Sequence, residues 1–300
     1  MRRLAADANI RMTDGSRRPP GVDEKDLSTI PIWILFHAKR LLNKLVWRPA
    51  TPETKVLADL VSQLRREAET RLGGRIKSAG LSTPEAVRIT RHEIRDIFDY
   101  LGIEDLVREK WPLGQAQLFS VAGSMAGYGL GLCENYTNAY SCGEEEYHMP
   151  GANTIKLDLS SHVLAGALAL ERSVRARAYR HSFIDFELGL NFLPISNEDE
   201  YWDRIANCIR EFIGSSRVER ILLGGKYASE PRFIDAVRSA LPLLPPLHLI
   251  HESIEEEHLL YMTSMGMAEL SKRRLEGMEH CWLPEECRDR KGGDNDVREL

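Results

Sequence analysis

The stretch SVAGSMAGYGLGL, Ser120 to Leu132, supports three readings at first sight. Gly127, Gly129 and Gly131 form G-x-G-x-G, as in a phosphate cradle. Ser124 stands among small residues, as a nucleophilic serine does. The whole segment also reads as a helix of small side chains packed close to a neighbour. A nucleophile elbow needs glycine two residues before and two after the serine, because its strained turn brings backbones together. Ala122 and Ala126 hold those places. The dinucleotide fingerprint needs G-x-G-x-x-G after a strand, with an acid about 20 residues on. That spacing is missing, and no G-K-[ST] is present. The small-residue helix is left as the better reading. Glycine and alanine let such a helix approach a neighbour closely, at some loss of helix propensity.

Working outward, the chain is long enough to bury a sizeable core. It has 300 residues, 43% hydrophobic and 28% charged, which is ordinary for a globular protein. The net charge is -5 with both signs mixed along the chain, and no basic face stands out, so nucleic acid is not expected as a partner. The apolar run IPIWILFHAKRLL is broken by Pro31, His37, Lys39 and Arg40 and is too short to span a bilayer. The first residues lack the apolar centre of a secretory signal. Five cysteines, an odd number, suit a reduced intracellular protein, and a cytoplasmic location is expected.

Met1 to Asp26 read as a loose polar arm, residues 27–150 as a partial first lobe, 151–287 as a second lobe and 288–300 as a charged tail. Val56, Leu57, Leu60, Val61, Leu64, Ala68 and Leu72 recur at helical spacing from Pro52 until Gly73-Gly74. A short strand falls within RIKSAGLSTP. Ser82, Thr83, Pro84 and Glu85 predict a capped helix start, with Val87, Ile94, Ile97, Phe98 and Leu101 on one side and an end at Gly102. A short strand is expected near Gln117 to Val121. Thr154 to Leu159 is strand-like, and Val163 to Leu170 is strand or helix. SFIDFELGL is a further strand. A helix through Tyr201, Ile205, Ile209 and Phe212, a strand at VERILLGG, a helix from Pro231 and a late helix over HLLYMTSMGMAELSKRRLE complete an α/β pattern.

Other clusters carry less chemistry. His148, His162, His280, Cys281 and Cys287 match no zinc spacing, and Cys133 and Cys142 form no C-x-x-C knuckle. Buried thiols acting as small apolar side chains are expected instead. Glu144-Glu145-Glu146 and Glu255-Glu256-Glu257 read as solvated surface.

The order of elements resembles the ATPase region of the DnaK-like heat-shock proteins. In LSTPEAVRITRHEIRDIFDYLGI, Thr83-Pro84, Arg91 and Leu101-Gly102-Ile103 take the family's V-P, helix arginine and A-G-L places. SVAGSMAGYGL is similar to E-P-T-A-A-A-x-A-Y-G-L. It keeps Tyr128-Gly129-Leu130 and replaces E-P-T by Ser120-Val121-Ala122. IKLDLSSHV is similar to the D-L-G-G-G-T phosphate hairpin. Asp158 and Leu159 remain, while Ser160, Ser161 and His162 stand where glycines should be. RILLGGKYASEPRFIDAVRSAL resembles the adenosine-side motif, and MTSMGMAELSKRRLE the closing A-x-G-A-A helix. The ending AELSKRRLE with a following cysteine resembles a divergent group of fungal actin-like ATPase domain proteins, and the resemblance as a whole covers about Leu27 to Cys287 in order.

The resemblance implies an α/β actin/heat-shock ATPase-like fold with two ribonuclease-H-like lobes, the first incomplete. The family's other hairpin, D-x-G-T, has only Thr13-Asp14-Gly15-Ser16 as a near match, so the chain reads as starting partway through the first lobe. Asp158, Ser160, Ser161, Gly224, Gly225 and Tyr227 become the candidate cofactor-binding residues, for ATP or ADP with Mg. No catalytic or metal-ligating residue is assigned. Side chains at Ser160, Ser161 and His162 obstruct the close approach that glycine permits, and lost donors weaken transition-state stabilisation. Gly224-Gly225 is either a tight strand-to-helix turn or a weak adenosine contact. The expected function is a degenerate, non-catalytic interaction or accessory protein with an unidentified protein partner, including one beside a biosynthetic pathway. The alternatives are an active ATP-binding, chaperone-like ATPase, with Ser160 and Ser161 supplying lost donors, or a truncated gene model of one.

Overall fold

The strand at Ala152–Leu159 is buried on both sides at its middle, and this sets the architecture. The computed structural model describes residues 30–86, 89, 91–106, 119–175, 177–195, 197–241 and 256–277. These divide into two compact units, one with residues 82–86 and everything described from 119 on, the other with the rest. The polar arm, the charged tail, Thr13 to Ser16, Val87, Gln117, His280, Cys281 and Cys287 lie outside the described residues.

The larger unit is built on β3 (Ala152–Leu159), β4 (Leu164–Glu171), β5 (Arg177–Asp185) and β6 (Arg220–Gly224). β3, β4 and β5 form an antiparallel meander, and β6 joins β3 in parallel, in the order β5-β4-β3-β6. A parallel partner needs a crossover, and α6 (Glu198–Ile213) supplies it. Ile155, Leu157 and Leu159 of β3 and Ile221 and Leu223 of β6 enter a core with Tyr201, Ile205 and Ile209 of α6 and Phe233 and Val237 of α7 (Pro231–Ala240). Thr154, Lys156 and Leu222 alternate onto the opposite face and are buried there too. That second face carries α4 (Ser120–Gly127) and α8 (Glu256–Glu276), which pack on each other and on β6. The fold is therefore α/β with helices on both faces of a mixed sheet.

The opening stretch is the small-residue helix its composition predicts. A Cβ added at Gly266 of α8 would sit 1.8 Å from the Gly123 carbonyl oxygen, and one at Gly127 would sit 2.1 Å from that of Met262. Ser124 Oγ and Thr263 Oγ1 share a hydrogen bond of 2.7 Å between the two helices. The helix ends at Gly127. Gly129 and Gly131 follow at φ of 71° and 65°, left-handed values that glycine adopts without a Cβ penalty.

The smaller unit holds α1 (Ile30–Leu45), α2 (Pro52–Leu72), β1 (Ser78–Ala79), α3 (Arg91–Leu101) and β2 (Glu104–Asp105), with β1 and β2 parallel. Thr51 caps α2, and Gly73 ends it in the left-handed region. The face of α2 turned inward is that of Thr54, Ala58 and Val61, whereas Val56, Leu60 and Leu64 of the predicted stripe are exposed. Arg65 extends from the helix to donate to the Leu101 carbonyl at the end of α3.

Several local expectations are corrected. The predicted helix start at Ser82 to Glu85 is not one, since Thr83 pairs with Phe119 in a parallel bridge and Glu85 lies in a turn. The Glu85 carboxylate serves a different helix, accepting from Ser120 Oγ (2.8 Å) and Val121 N (2.6 Å) at the start of α4. Of the strand expected near Gln117 to Val121, Gln117 and Leu118 lie outside the described residues, Phe119 makes a single bridge and Ser120 already begins α4. SFIDFELGL is a strand only to Asp185, whose carboxylate accepts from Glu187 N and turns the chain. Val163 to Leu170 resolves as the strand β4.

Cys133 and Cys142 are joined in a disulfide, which corrects their reading as thiols. α5 (Ala139–His148) folds back on the preceding loop and brings their Cα atoms within 5.1 Å. Glu146, one turn after Cys142, is buried rather than solvated because helical spacing puts both on the inward face. Glu145 accepts from the Glu134 and Asn135 amides. Glu255 and the side chains of Glu256 and Glu257 lie outside the described residues. No described helix is long and apolar enough to cross a membrane.

Candidate functional site

Parallel pairing sets Asp158 of β3 opposite Gly224 of β6, so the two motifs that carry the resemblance meet at one sheet end. Asp158, Ser160, Ser161, Gly224, Gly225 and Tyr227 all lie there. The β3–β4 hairpin is closed by Ser160 N donating to the Val163 carbonyl at 3.0 Å. Ser160 Oγ accepts from the amides of His162 (3.3 Å) and Val163 (3.1 Å) and donates to the Val163 carbonyl (3.2 Å). Such a serine turn satisfies the loop amides from within the loop. A phosphate-binding hairpin needs those amides turned toward the anion.

The hairpin carbonyls are occupied as well. Leu190 N donates to Ser160 O at 3.0 Å, and Asn191 N to Ser161 O at 2.9 Å. Both donors open the short 3-10 helix Leu190–Ile195. A Cβ at Gly189 would sit 2.2 Å from the His162 carbonyl carbon, so this segment lies flush against the hairpin. His162 itself is exposed.

Both glycines of the β6 turn have packing reasons. A Cβ at Gly224 would meet Asp158 Oδ1 at 2.3 Å. Gly225 has φ of 90°, and a Cβ there would lie 2.5 Å from the Leu159 carbonyl oxygen. Tyr227 N donates to that same carbonyl at 3.1 Å. These contacts form the tight strand-to-helix turn. Tyr227 is partly exposed, with Lys226 Nζ 5.4 Å from its ring centroid. Ser161 Oγ donates to the Tyr227 hydroxyl at 3.5 Å, which lowers the phenol's pKa.

Behind the hairpin runs a polar chain that the sequence reading missed. Lys156 Nζ lies 2.7 Å from Asp158 Oδ2 and donates to Ser120 Oγ at 2.8 Å. Ser120 Oγ donates to Glu85 Oε2. Burial pushes the Glu85 carboxyl above its ordinary range, against the opposing influence of the Lys156 charge and the Val121 and Ser120 hydrogen bonds. The Glu85 carboxylate thus reaches the start of α4 from another segment. Tyr128 Oη donates to the Leu223 carbonyl at 2.8 Å, and burial pushes its phenol up to about 12. A lysine inside the apolar run TIKLDL was the one visible signal of this chain.

Among the described residues, one cluster brings three metal-capable side chains together, namely Cys133, Cys142 and Glu146. Its two sulfurs are bonded to each other. His148 is exposed at the end of α5, its Nδ1 2.8 Å from the Glu144 carbonyl. No model of a known protein family matches the chain, and no curated protein compared with it matches either.

Proposed function

We propose that the chain is a degenerate member of the actin/heat-shock ATPase superfamily, non-catalytic and with weak or no binding of Mg·ATP or ADP. It acts as an interaction or accessory protein. The fold half of this reading is supported by the larger unit: an antiparallel meander whose first strand is joined in parallel by a fourth, with helices on both faces. A ribonuclease-H-like lobe would have this order over its first four strands. The close α4–α8 contact brings together SVAGSMAGYGL and MTSMGMAEL, two of the stretches on which the resemblance rests.

The functional half rests on one observation. Ser160 Oγ holds the His162 and Val163 amides within the hairpin. Phosphoryl transfer relies on donors preorganised toward phosphate oxygens, and these two are turned to a side chain. Lys156, which neutralises Asp158, further removes a free carboxylate from the hairpin's base. An interaction role draws support from α1. It is tied to its own unit through polar groups, Arg40 and Lys44 on Asp96 and Lys44 on Asp99, while Leu35, Leu41, Leu42 and Leu45 are exposed. The test is a phosphate-release assay on the full chain with Mg·ATP. The expected result is release at the buffer rate; enzyme-dependent turnover that Asp158→Asn abolishes would overturn the reading.

A further inference from the structure

The Cys133–Cys142 pair has an asymmetric setting. Arg273 Nη1 of α8 lies 4.0 Å from Cys133 Sγ and donates to the Cys133 carbonyl. Glu269 holds that guanidinium at 2.7 Å, and the Tyr136 ring lies 4.6 Å from it. On the other side, Glu146 Oε1 of α5 lies 3.8 Å from Cys142 Sγ. Ser173 Oγ donates to Glu146 Oε2, and Arg175 Nε lies 3.9 Å from Oε1, both from the turn after β4. Cys133 Sγ thus has a cation at 4.0 Å and Cys142 Sγ a carboxylate at 3.8 Å, and that carboxylate also lies within 4.8 Å of Cys133 Sγ. A neighbouring guanidinium stabilises a thiolate, and a neighbouring carboxylate accepts a thiol proton.

We propose that Cys133 and Cys142 are a reversible dithiol–disulfide pair, with Cys133 the sulfur oxidised first and Cys142 the resolving thiol. With hydrogen peroxide as oxidant, the Cys133 thiolate attacks one peroxide oxygen. The O–O bond breaks, Cys133 becomes a sulfenic acid, and the departing hydroxide takes up the proton released when the thiol ionised, leaving as water. Cys142 sulfur then attacks Cys133 sulfur, its proton passes to Glu146 and on to the departing hydroxide, and the S–O bond breaks with release of a second water. Two thiols and one peroxide give one disulfide and two waters. A small dithiol reverses the change by exchange, becoming oxidised itself.

The bond fastens a loop that is otherwise held by hydrogen bonds. Val174 N donates to Gly131 O, Tyr136 Oη to Glu276, and Arg273 to Cys133 O. Oxidation adds a covalent link from this loop to α5, so the state of the pair sets how firmly α5, α8 and the turn after β4 are joined.

The test uses the full chain with Cys208, Cys281 and Cys287 changed to Ser. After reduction and removal of reductant, maleimide should label two thiols; after one equivalent of peroxide it should label none. Glu146→Gln should slow closure about tenfold and leave a sulfenic acid that dimedone traps on Cys133. In Cys142→Ser, thiolate absorbance should titrate below the ordinary value of about 8.5. Arg273→Gln should raise it by about one unit and Arg273→Lys should not. A folded, reduced protein that peroxide does not close, or a Cys133 thiol titrating at or above about 8.5, would overturn the proposal. Stoichiometric zinc uptake by the reduced pair with Glu146, blocking closure, would overturn it in favour of a metal site.

Discussion

A single hydroxyl decides what the β3–β4 hairpin offers. Ser160 Oγ accepts from two amides that a phosphate would otherwise require. Ser160→Ala should lower unfolding free energy by about 1 kcal/mol, read from urea melts, because both amides lose their partner at a partly exposed turn. An unchanged midpoint would contradict the role given to the hydroxyl. Glu85 gives a second test. Its carboxyl is raised from 4.5, chiefly by burial, so the folded protein binds a proton that the unfolded chain has released. Stability from this group is therefore present below its unfolded value and falls as pH rises toward its folded value. Glu85→Gln lacks this titration. The wild-type-minus-variant difference in unfolding free energy should decline from pH 4.5 upward and then level off. A pH-independent difference would show that burial does not control the group. Of these residues, Ser160 was singled out in the sequence only through the resemblance, which says nothing of the two amides its hydroxyl holds. Glu85 was misread because its helix-start pattern is local, whereas its partners Ser120 and Val121 are 35 and 36 residues away.

At the scale of elements, the α4–α8 contact is the tightest feature of the larger unit. Gly266→Ala would drive a methyl into the Gly123 carbonyl, which is backbone and has no rotamer to escape into. The expected loss is about 3 kcal/mol or more, measured as a lower thermal or urea midpoint, and Gly143→Ala, with open space at its Cβ, should cost far less. Equal effects would sink the close-packing account. This helix was legible from its composition, because small residues repeated along SVAGSMAG have few other uses. Thr154 to Leu159 and Ser182 to Asp185 were legible from their apolar runs, Leu164–Glu171 was settled as a strand by its pairing with β3 and β5, and the polar start of β5 from Arg177 was not legible. The outward turn of Val56, Leu60 and Leu64 on α2 was not legible, since periodicity places residues on one stripe without saying which stripe faces in. The disulfide was not legible either. Nine residues separate Cys133 from Cys142, and only the return of α5 brings them together.

For the whole molecule, the meander-plus-crossover sheet gathers Asp158, Ser160, Ser161, Gly224, Gly225 and Tyr227 at one end. What each residue does there depends on neighbours no motif specifies. Gly224 makes room for Asp158, Gly225 for the Leu159 carbonyl, and Leu190 and Asn191 cover the hairpin. The central claim is that this end of the sheet is satisfied internally and holds Mg·ATP weakly or not at all. The most direct test is a thermal melt of the full chain across an Mg·ATP titration, since a ligand that binds only the folded state raises the midpoint with its concentration. The account predicts no saturable rise up to millimolar nucleotide. A saturable rise, lost on adding Asp158→Asn, would contradict it.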